Sequence, residues 1–229
     1  MGKRIIQQAR GKGSLTYRAR PKAFKYRVGY PSGTGTAKVI DIINSPAHYA
    51  PLAKILFQEK IFYNPANQGL IVGQNIELGK AGNGNIVALK DIPIGEKIFN
   101  IECHVNDGGK LIRTSGSSAI VNDKKLNKVF VLLPSKKIIT LDENCRAVMG
   151  VIAGAGRKDK PIIKAGKQWH IKKAKNELWP RTSAVKMNVI DHPFGSGRGK
   201  RIKQKTAKRN SPPGAKVGHL NPRRTGGKR

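Results

Sequence analysis

Acidic residues are scarce in this chain: 13 Asp and Glu stand against 45 Lys and Arg in 229 residues, for a formal charge of +32 and a sequence pI near 10.6. Self-repulsion at such a charge opposes compaction unless a polyanion neutralises it. Nucleic acid and an anionic membrane surface are the polyanions to weigh. Long apolar runs are missing as well. None approaches the roughly 18–20 residues that a membrane span needs, and no secretory apolar stretch lies near the start, so a soluble chain is expected. Cysteine is limited to Cys103 and Cys145, without CxxC spacing. That argues against a disulfide scaffold or a structural zinc site and makes a reducing cytosol the default. The histidines His48, His104, His170, His192 and His219 are scattered without ligand spacing, so no protein metal site is expected.

What is abundant is positive charge, and it is concentrated at the two ends. The first carboxylate is Asp41 and the last is Asp191. Residues 1–40 carry ten Lys and Arg, and residues 192–229 carry twelve, with no acid in either stretch. From Gly195 to Arg229 the aliphatic residues are only Ile202, Ala207, Ala215, Val217 and Leu220. Such a segment cannot bury enough apolar surface to offset about 1–2 kcal/mol of backbone entropy per ordered residue. It is expected to take shape only when its charges are matched. In the N-terminal stretch SLTYRARPKAFKYRVGY, the rings Tyr17, Phe24, Tyr26 and Tyr30 are interleaved with Arg18, Arg20, Lys22, Lys25 and Arg27. Cations pair with phosphates and flat rings stack on unpaired bases, although the same rings could dock on the protein itself. A lipid surface would call for an amphipathic helix, and no such period is present.

Between the ends, short β-rich runs alternate with turn chemistry. Strands are predicted over 36–43, 52–58, 70–78, 86–89, 98–103, 119–121, 129–133, 137–141 and 146–153, separated by NPANQG, GKAGNGN, PIGE, NDGG and LPS. Long helices are not expected. Asp41 and Glu77 fall in the strand runs, at positions expected to face solvent. Many short strands point to a mainly β fold of two small barrels, with a break near Gly84.

Enzyme motifs are weak. GVIAGAGRKDKP (150–161) matches no phosphate-loop pattern, so its glycines are read as sites of sharp turning or close approach. RTSGSS (113–118) lacks a nucleophile elbow. In MNVIDHPFGSG, neighbouring residues point apart, so Asp191 is badly placed to orient His192 as a catalytic acid would. His192 reads as an RNA contact or a loop residue, and no catalytic residue is expected.

The runs MGKRIIQQARGKGSLTYRAR, APLAKILF, NDGGKLIRTSG, CRAVMGVIAGAGR, GRKDKPIIKAGKQWHIKKAKNELWPR and MNVIDHPFGSG follow one another through nearly the whole chain. Together they resemble the universal large-subunit ribosomal protein L-two family. HPF at 192–194 and the short tail give the resemblance an archaeal cast. It implies a basic extension (1–35), an OB-like barrel (36–84), a Src-homology-three-like barrel (85–168) and a second basic extension (169–229). It also implies a non-enzymatic protein of the cytoplasmic large ribosomal subunit that binds its rRNA, supports subunit association and braces the peptidyl-transferase region. The partners so implied are rRNA, neighbouring large-subunit proteins and a contact at the intersubunit face, with neither membrane nor homo-oligomer. Magnesium ions are expected to accompany the RNA phosphates, and no cofactor is expected.

The expected RNA-binding residues fall in three groups. Arg4, Arg10, Lys12, Tyr17, Arg18 and Arg20 lie in the N-terminal stretch, and Arg113, Arg157, Lys164 and Lys173 in the central motifs. Arg181, Met187, Asn188, His192, Pro193 and Gly195 are carried over from the family pattern, which departs here at Ser183 and Val189. Arg198, Lys200, Arg201, Lys203, Lys205, Lys208, Arg209, Arg223 and Arg224 complete the set along the tail.

Overall fold

Alternation of side chains across strands organises the larger part of the molecule, described by a computed structural model over residues 3–197, 207 and 209–218. Two compact units emerge: residues 20–175, and a second unit drawn from both ends, 1–19 and 176–229. The mainly β character expected from the sequence is what the 20–175 unit shows. Its strands are β1 (Gly35–Ile43), β2 (Leu52–Phe57), β3 (Lys60–Pro65), β4 (Asn75–Leu78), β5 (Ile86–Ala88), β6 (Lys97–Phe99), β7 (Ala119–Lys125), β8 (Lys128–Leu132), β9 (Ile138–Asp142) and β10 (Arg146–Met149). They form one ten-stranded sheet in the order β3-β2-β1-β4-β5-β10-β6-β7-β8-β9. The pairings are antiparallel, apart from the parallel bridge Leu78↔Ile86 that joins β4 to β5. Four strands precede Gly84 and six follow it.

Two apolar clusters lie on either side of β5, β6 and β10. Ile86, Phe99 and Val148 enter the cluster built with Val39, Ile55, Phe57 and Ile76 from the first strands. Their neighbours Val87, Ile98 and Ala147 enter the cluster of Leu89, Ile101, Val121, Val129 and Val131. Successive side chains in a strand point to opposite faces, so the adjacent apolar pairs Ile86-Val87, Ile98-Phe99 and Ala147-Val148 let these three short strands serve both cores.

A buried polar network sits beside them. Glu102, fully buried, receives the Arg146 guanidinium at 2.9 Å, the Arg146 backbone N–H at 2.8 Å and the Gly108 N–H at 3.1 Å. Arg146 Nη1 also donates to the Pro31 carbonyl at 2.6 Å. Asn100 donates to Asn64 Oδ1 at 2.7 Å and accepts from Arg113 Nε at 2.8 Å, while the Tyr30 hydroxyl donates to the Asn100 carbonyl at 2.5 Å. Asp107 closes the adjoining loop. Burial works to raise its carboxyl, but donation from the Cys103, Gly109 and His104 N–H groups and the charge of Lys110 hold it below the usual carboxylate range.

Several sequence expectations need correction. Strand β3 falls in no predicted run. It pairs with β2 through a two-residue turn in which Gln58 and Glu59 both take positive φ, at 44° and 64°. Such turns ordinarily advertise themselves with Asn-Gly or Asp-Gly, and here neither residue does. The predicted run 70–78 is a strand only from Asn75, because Gly73 donates its N–H to the Val39 carbonyl and turns the chain. Two α-helices were not foreseen: α1 (Ile6–Gly11) in the unit of the two ends and α2 (Ala165–Ala174) in the 20–175 unit. Neither has a side-chain cap, and α2 carries no buried residue, so the usual helix signals are absent. Of the two strand carboxylates, Asp41 is exposed as expected, and Glu77 is half-buried and paired with Lys80 at 3.4 Å.

The glycines of 150–161 do allow close approach. A Cβ on Gly150 (φ +117°) would lie 2.4 Å from both Asn67 Oδ1 and Asn83 Oδ1. Glu102→Gln removes the charge partner of a largely buried guanidinium, which costs about 3 kcal/mol. The expected outcome is a melting temperature lower by about 6–12 °C, measured by circular dichroism.

Candidate nucleic-acid interface

In the unit of the two ends, backbone hydrogen bonds fold the Met187–Ser196 segment into a tight loop. The Asp191 and His192 N–H groups both donate to the Asn188 carbonyl (3.0 and 3.2 Å), and Gly195 N–H donates to the His192 carbonyl at 2.8 Å. Ser196 N–H then closes the loop on the Met187 carbonyl at 3.1 Å. Gly195 is required by space: an added Cβ would stand 2.3 Å from the Asn188 oxygen and 2.6 Å from the Met187 oxygen.

His192 is buried within this loop, its ring 5.1 Å from that of Phe194. Nδ1 accepts the Phe194 N–H at 3.1 Å, which leaves the proton of a neutral imidazole on Nε2. Asp191 turns its carboxylate toward Lys3 Nζ at 3.8 Å, and Lys3 N–H meets the Ile190 carbonyl at 2.9 Å. Residue Lys3 is thereby tied to the loop, with the Asp191 carboxylate turned to Lys3 and His192 Nδ1 to the Phe194 N–H.

Arg4, Tyr17, Met187 and Asn188 come together in a cleft of about 470 Å³, with Lys186 and Asp191 on its wall. A second cleft of about 680 Å³ shares Arg4 and adds Pro193, Val189 and Ile190. Arg10 donates to the Asn176 carbonyl at 3.0 Å, and Lys12, Arg18, Arg181 and Arg209 are exposed. Residues some 170 positions apart in the chain, Arg4 and Tyr17 with Lys186, Met187 and Asn188, thus share one cleft.

In the 20–175 unit the picture is mixed. Arg20 and Lys164 are exposed, Lys173 is half-buried in α2, and Arg157 lies 4.0 Å over the Tyr49 ring while its Nε donates to Ser115 Oγ at 3.0 Å. Arg113 serves the protein's own interior. Its guanidinium donates to Asn100 Oδ1 and the Gly108 and Gly109 carbonyls, and burial lowers its pKa. Three of the four N-terminal rings pack on their own unit. Tyr30 is half-buried with Arg146 over its ring, Tyr26 lies 4.9 Å from Tyr63, and Phe24 meets His48 edge-on at 5.9 Å. Tyr17 is the ring placed among the expected contacts. Arg198, Lys200, Arg201, Lys203, Lys205, Lys208, Arg223 and Arg224 lie outside the described residues. Sequence reasoning passed over Lys158, Lys160, Lys167 and Lys175, which line a further cleft with Arg157. Their signal was hidden because Lys167 and Lys175 belong to the unforeseen α2 and its C-terminal cap.

No cluster of His, Cys, Asp and Glu suited to a metal occurs among the described residues, and no described helix is long and apolar enough to cross a membrane. The fold and surface thus define a basic, mainly β protein that presents grouped cations. Comparison with known proteins gives the family. The model for "Ribosomal Proteins L2, C-terminal domain" matches residues 82–214. The chain is 44% identical to "Large ribosomal subunit protein uL2" of Metallosphaera sedula, over 99% of this chain and 98% of that one. It is 44% identical to the same-named protein of Archaeoglobus fulgidus over the full length of both, and 42% identical to that of Hyperthermus butylicus over 99% of this chain. The chain belongs to the ribosomal protein L2 family.

Gly195→Ala should force the loop open. Ring proton shifts of His192 and Phe194 are expected to move and their mutual nuclear Overhauser contact to vanish, while strand amides stay put. An unchanged contact would contradict the geometry.

Proposed function

We propose that this protein is a structural, non-catalytic constituent of the large ribosomal subunit, acting in the cytoplasm by binding and bracing large-subunit rRNA. The observation that carries the reading is 44% identity along 99% of the chain to a protein named for that subunit. The charge pattern supports it independently: both acid-free ends, with 22 of the 45 Lys and Arg between them, have no internal counterions in sequence. Neighbouring large-subunit proteins and the intersubunit face are its further partners. Its role near the peptidyl-transferase region is to position RNA.

In this reading the 36–84 segment acts as an OB-like barrel and 85–168 as a Src-homology-three-like barrel, with Ile86, Phe99, Val148 and Ile152 of the second segment completing the core of the first. The barrels set register on the RNA. Arg4, Arg10, Lys12, Tyr17, Arg18, Arg181, Met187, Asn188, His192, Pro193 and the tail cations supply contacts where phosphates from several segments crowd. Gly195 keeps the loop slim enough to approach the backbone, and the Nε2–H of His192 is a donor for a phosphate or 2′-hydroxyl oxygen. Magnesium accompanies the RNA phosphates and needs no protein carboxylate cage.

Each neutralised phosphate contributes about 0.7–0.9 to the log–log dependence of affinity on salt. The full chain and a large-subunit rRNA transcript are therefore expected to give a slope steeper than about −4. A slope of about −2 or shallower in a filter-binding series would contradict the proposal.

A further inference from the structure

Strand β9 ends the ten-stranded sheet, and among the described residues no strand or bridge lies along its outer side. The opposite end, β3, is closed off. Val28 bridges Tyr63, Gly29 N–H donates to the Tyr63 carbonyl at 3.1 Å, and β3 stops at Pro65. Covering segments, proline and bulges are the usual means of blocking an open edge. β9 has none of them: it lacks proline, pairs with β8 without a register shift, and exposes Ile138 and Thr140.

The bonds that flank the β8 pairing fix which peptide groups stay open. Leu133 N–H donates to the Lys137 carbonyl at 2.9 Å, and Glu143 N–H to the Asn127 carbonyl at 3.2 Å. Bonded residues alternate along an antiparallel ladder, so Lys137, Ile139, Leu141 and Glu143 turn their peptide groups toward β8. Ile138 and Thr140 therefore turn N–H and C=O outward. Asp142 turns its N–H outward, while its carbonyl accepts the Cys145 N–H at 3.2 Å. An antiparallel neighbour must set open residues opposite open residues, and only a register centred on Thr140 uses all three.

In that register the segment KKIITLDE (136–143) complements itself. With Thr140 opposite Thr140 of a second copy, Ile139 faces Leu141 and Lys137 faces Glu143, each contact made twice by symmetry. Thr–Thr, apolar and opposite-charge pairs all stabilise neighbouring strands. Leu141 is buried in the second core and Ile139 packs against it, so their pairing extends that core across the edge. Ile138 faces Asp142 without a side-chain complement, and Lys136 lies diagonal to that carboxylate. In a chain of 45 cations and 13 acids, these eight residues are locally neutral, with two of each.

We propose that the chain free of RNA self-associates through β9, two copies pairing antiparallel about Thr140 to form one continuous sheet. This pairing is independent of RNA binding, and for the free chain it replaces the expectation of no homo-oligomer. Two chains of +32 repel, and a contact of one short strand lies at the small, transient end of interfaces, so the dimer is weak. Salt screens the overall repulsion and strengthens it, whereas salt weakens contacts with RNA phosphates.

Sedimentation equilibrium of the full-length, nucleic-acid-free chain with a thiol reductant, over a concentration series, is expected to show a monomer–dimer equilibrium that tightens at high salt. Thr140→Pro removes an outward donor without touching a bond to β8, and should weaken association about tenfold. Lys137→Glu and Glu143→Lys should each weaken it about threefold to tenfold, because each sets like charges opposite one another twice. Mixing those two variants should restore association, since every pair across the mixed dimer is again of opposite charge. Circular dichroism checks that each variant is folded, and should Thr140→Pro fail to fold, the mixture decides. A wild-type chain that stays monomeric at every concentration and salt overturns the proposal. So does a folded Thr140→Pro chain that associates like the wild type, or a mixture that associates no better than either variant alone.

Discussion

Every other feature depends on the imbalance between positive and negative charge. Thirteen carboxylates cannot pair 45 cations, and those ion pairs described between side chains are mostly local and exposed. Glu77–Lys80 and Lys110–Asp107 are three residues apart, and Asp123–Lys125 is two apart. Exposed pairs such as Glu77–Lys80 and Asp123–Lys125 contribute about 0–1 kcal/mol, while the enclosed Asp107 carboxylate is held chiefly by backbone donors. Glu102 with Arg146 is different, because its carboxylate is fully buried and carries backbone donors as well. The acids thus act chiefly in folding, at a buried clamp and at loop closures. The cations are left to face outward, where an RNA backbone can meet them.

That division of labour has an architectural counterpart. Apolar strength is concentrated in 35–149, where β5, β6 and β10 send alternate side chains into two cores. The unit assembled from both ends has little apolar content and is held by backbone hydrogen bonds, as at Lys3–Ile190 and Met187–Ser196, and by a few fitted side chains such as Ile5, His192 and Phe194. Its form derives from peptide groups and glycine fit, which tolerate a surface crowded with like charge.

The strands built on Val, Ile and Leu were legible in the sequence because a buried strand needs an apolar run whatever its neighbours do. What escaped was held by geometry without a residue signature. The Gln58-Glu59 turn takes left-handed backbone without glycine, which concealed β3. Helix α2 has no apolar stripe to detect, since its cleft-facing side carries Lys167, Gln168 and Lys175. At the candidate interface, the cationic segments were readable from charge, and His192 was readable as an RNA contact or a loop residue, though not the hydrogen bonds that close the loop around it. The internal use of Arg113 and the docking of Tyr26 and Tyr30 were not, because an interleaved aromatic and basic stretch suits the protein's own surface as well as a base.

The central claim is that surplus positive charge leaves the unit of the two ends dependent on a polyanion for its stability, whereas the two-core unit stands alone. Hydrogen exchange of the full chain, followed by mass spectrometry with and without a large-subunit rRNA transcript at low ionic strength, measures this directly. The account predicts slow exchange in β1, β2, β8 and β10 in both conditions, and protection of 3–19 and 176–197 only when RNA is present. Equally slow exchange in 3–19 and 176–197 without any nucleic acid would contradict it.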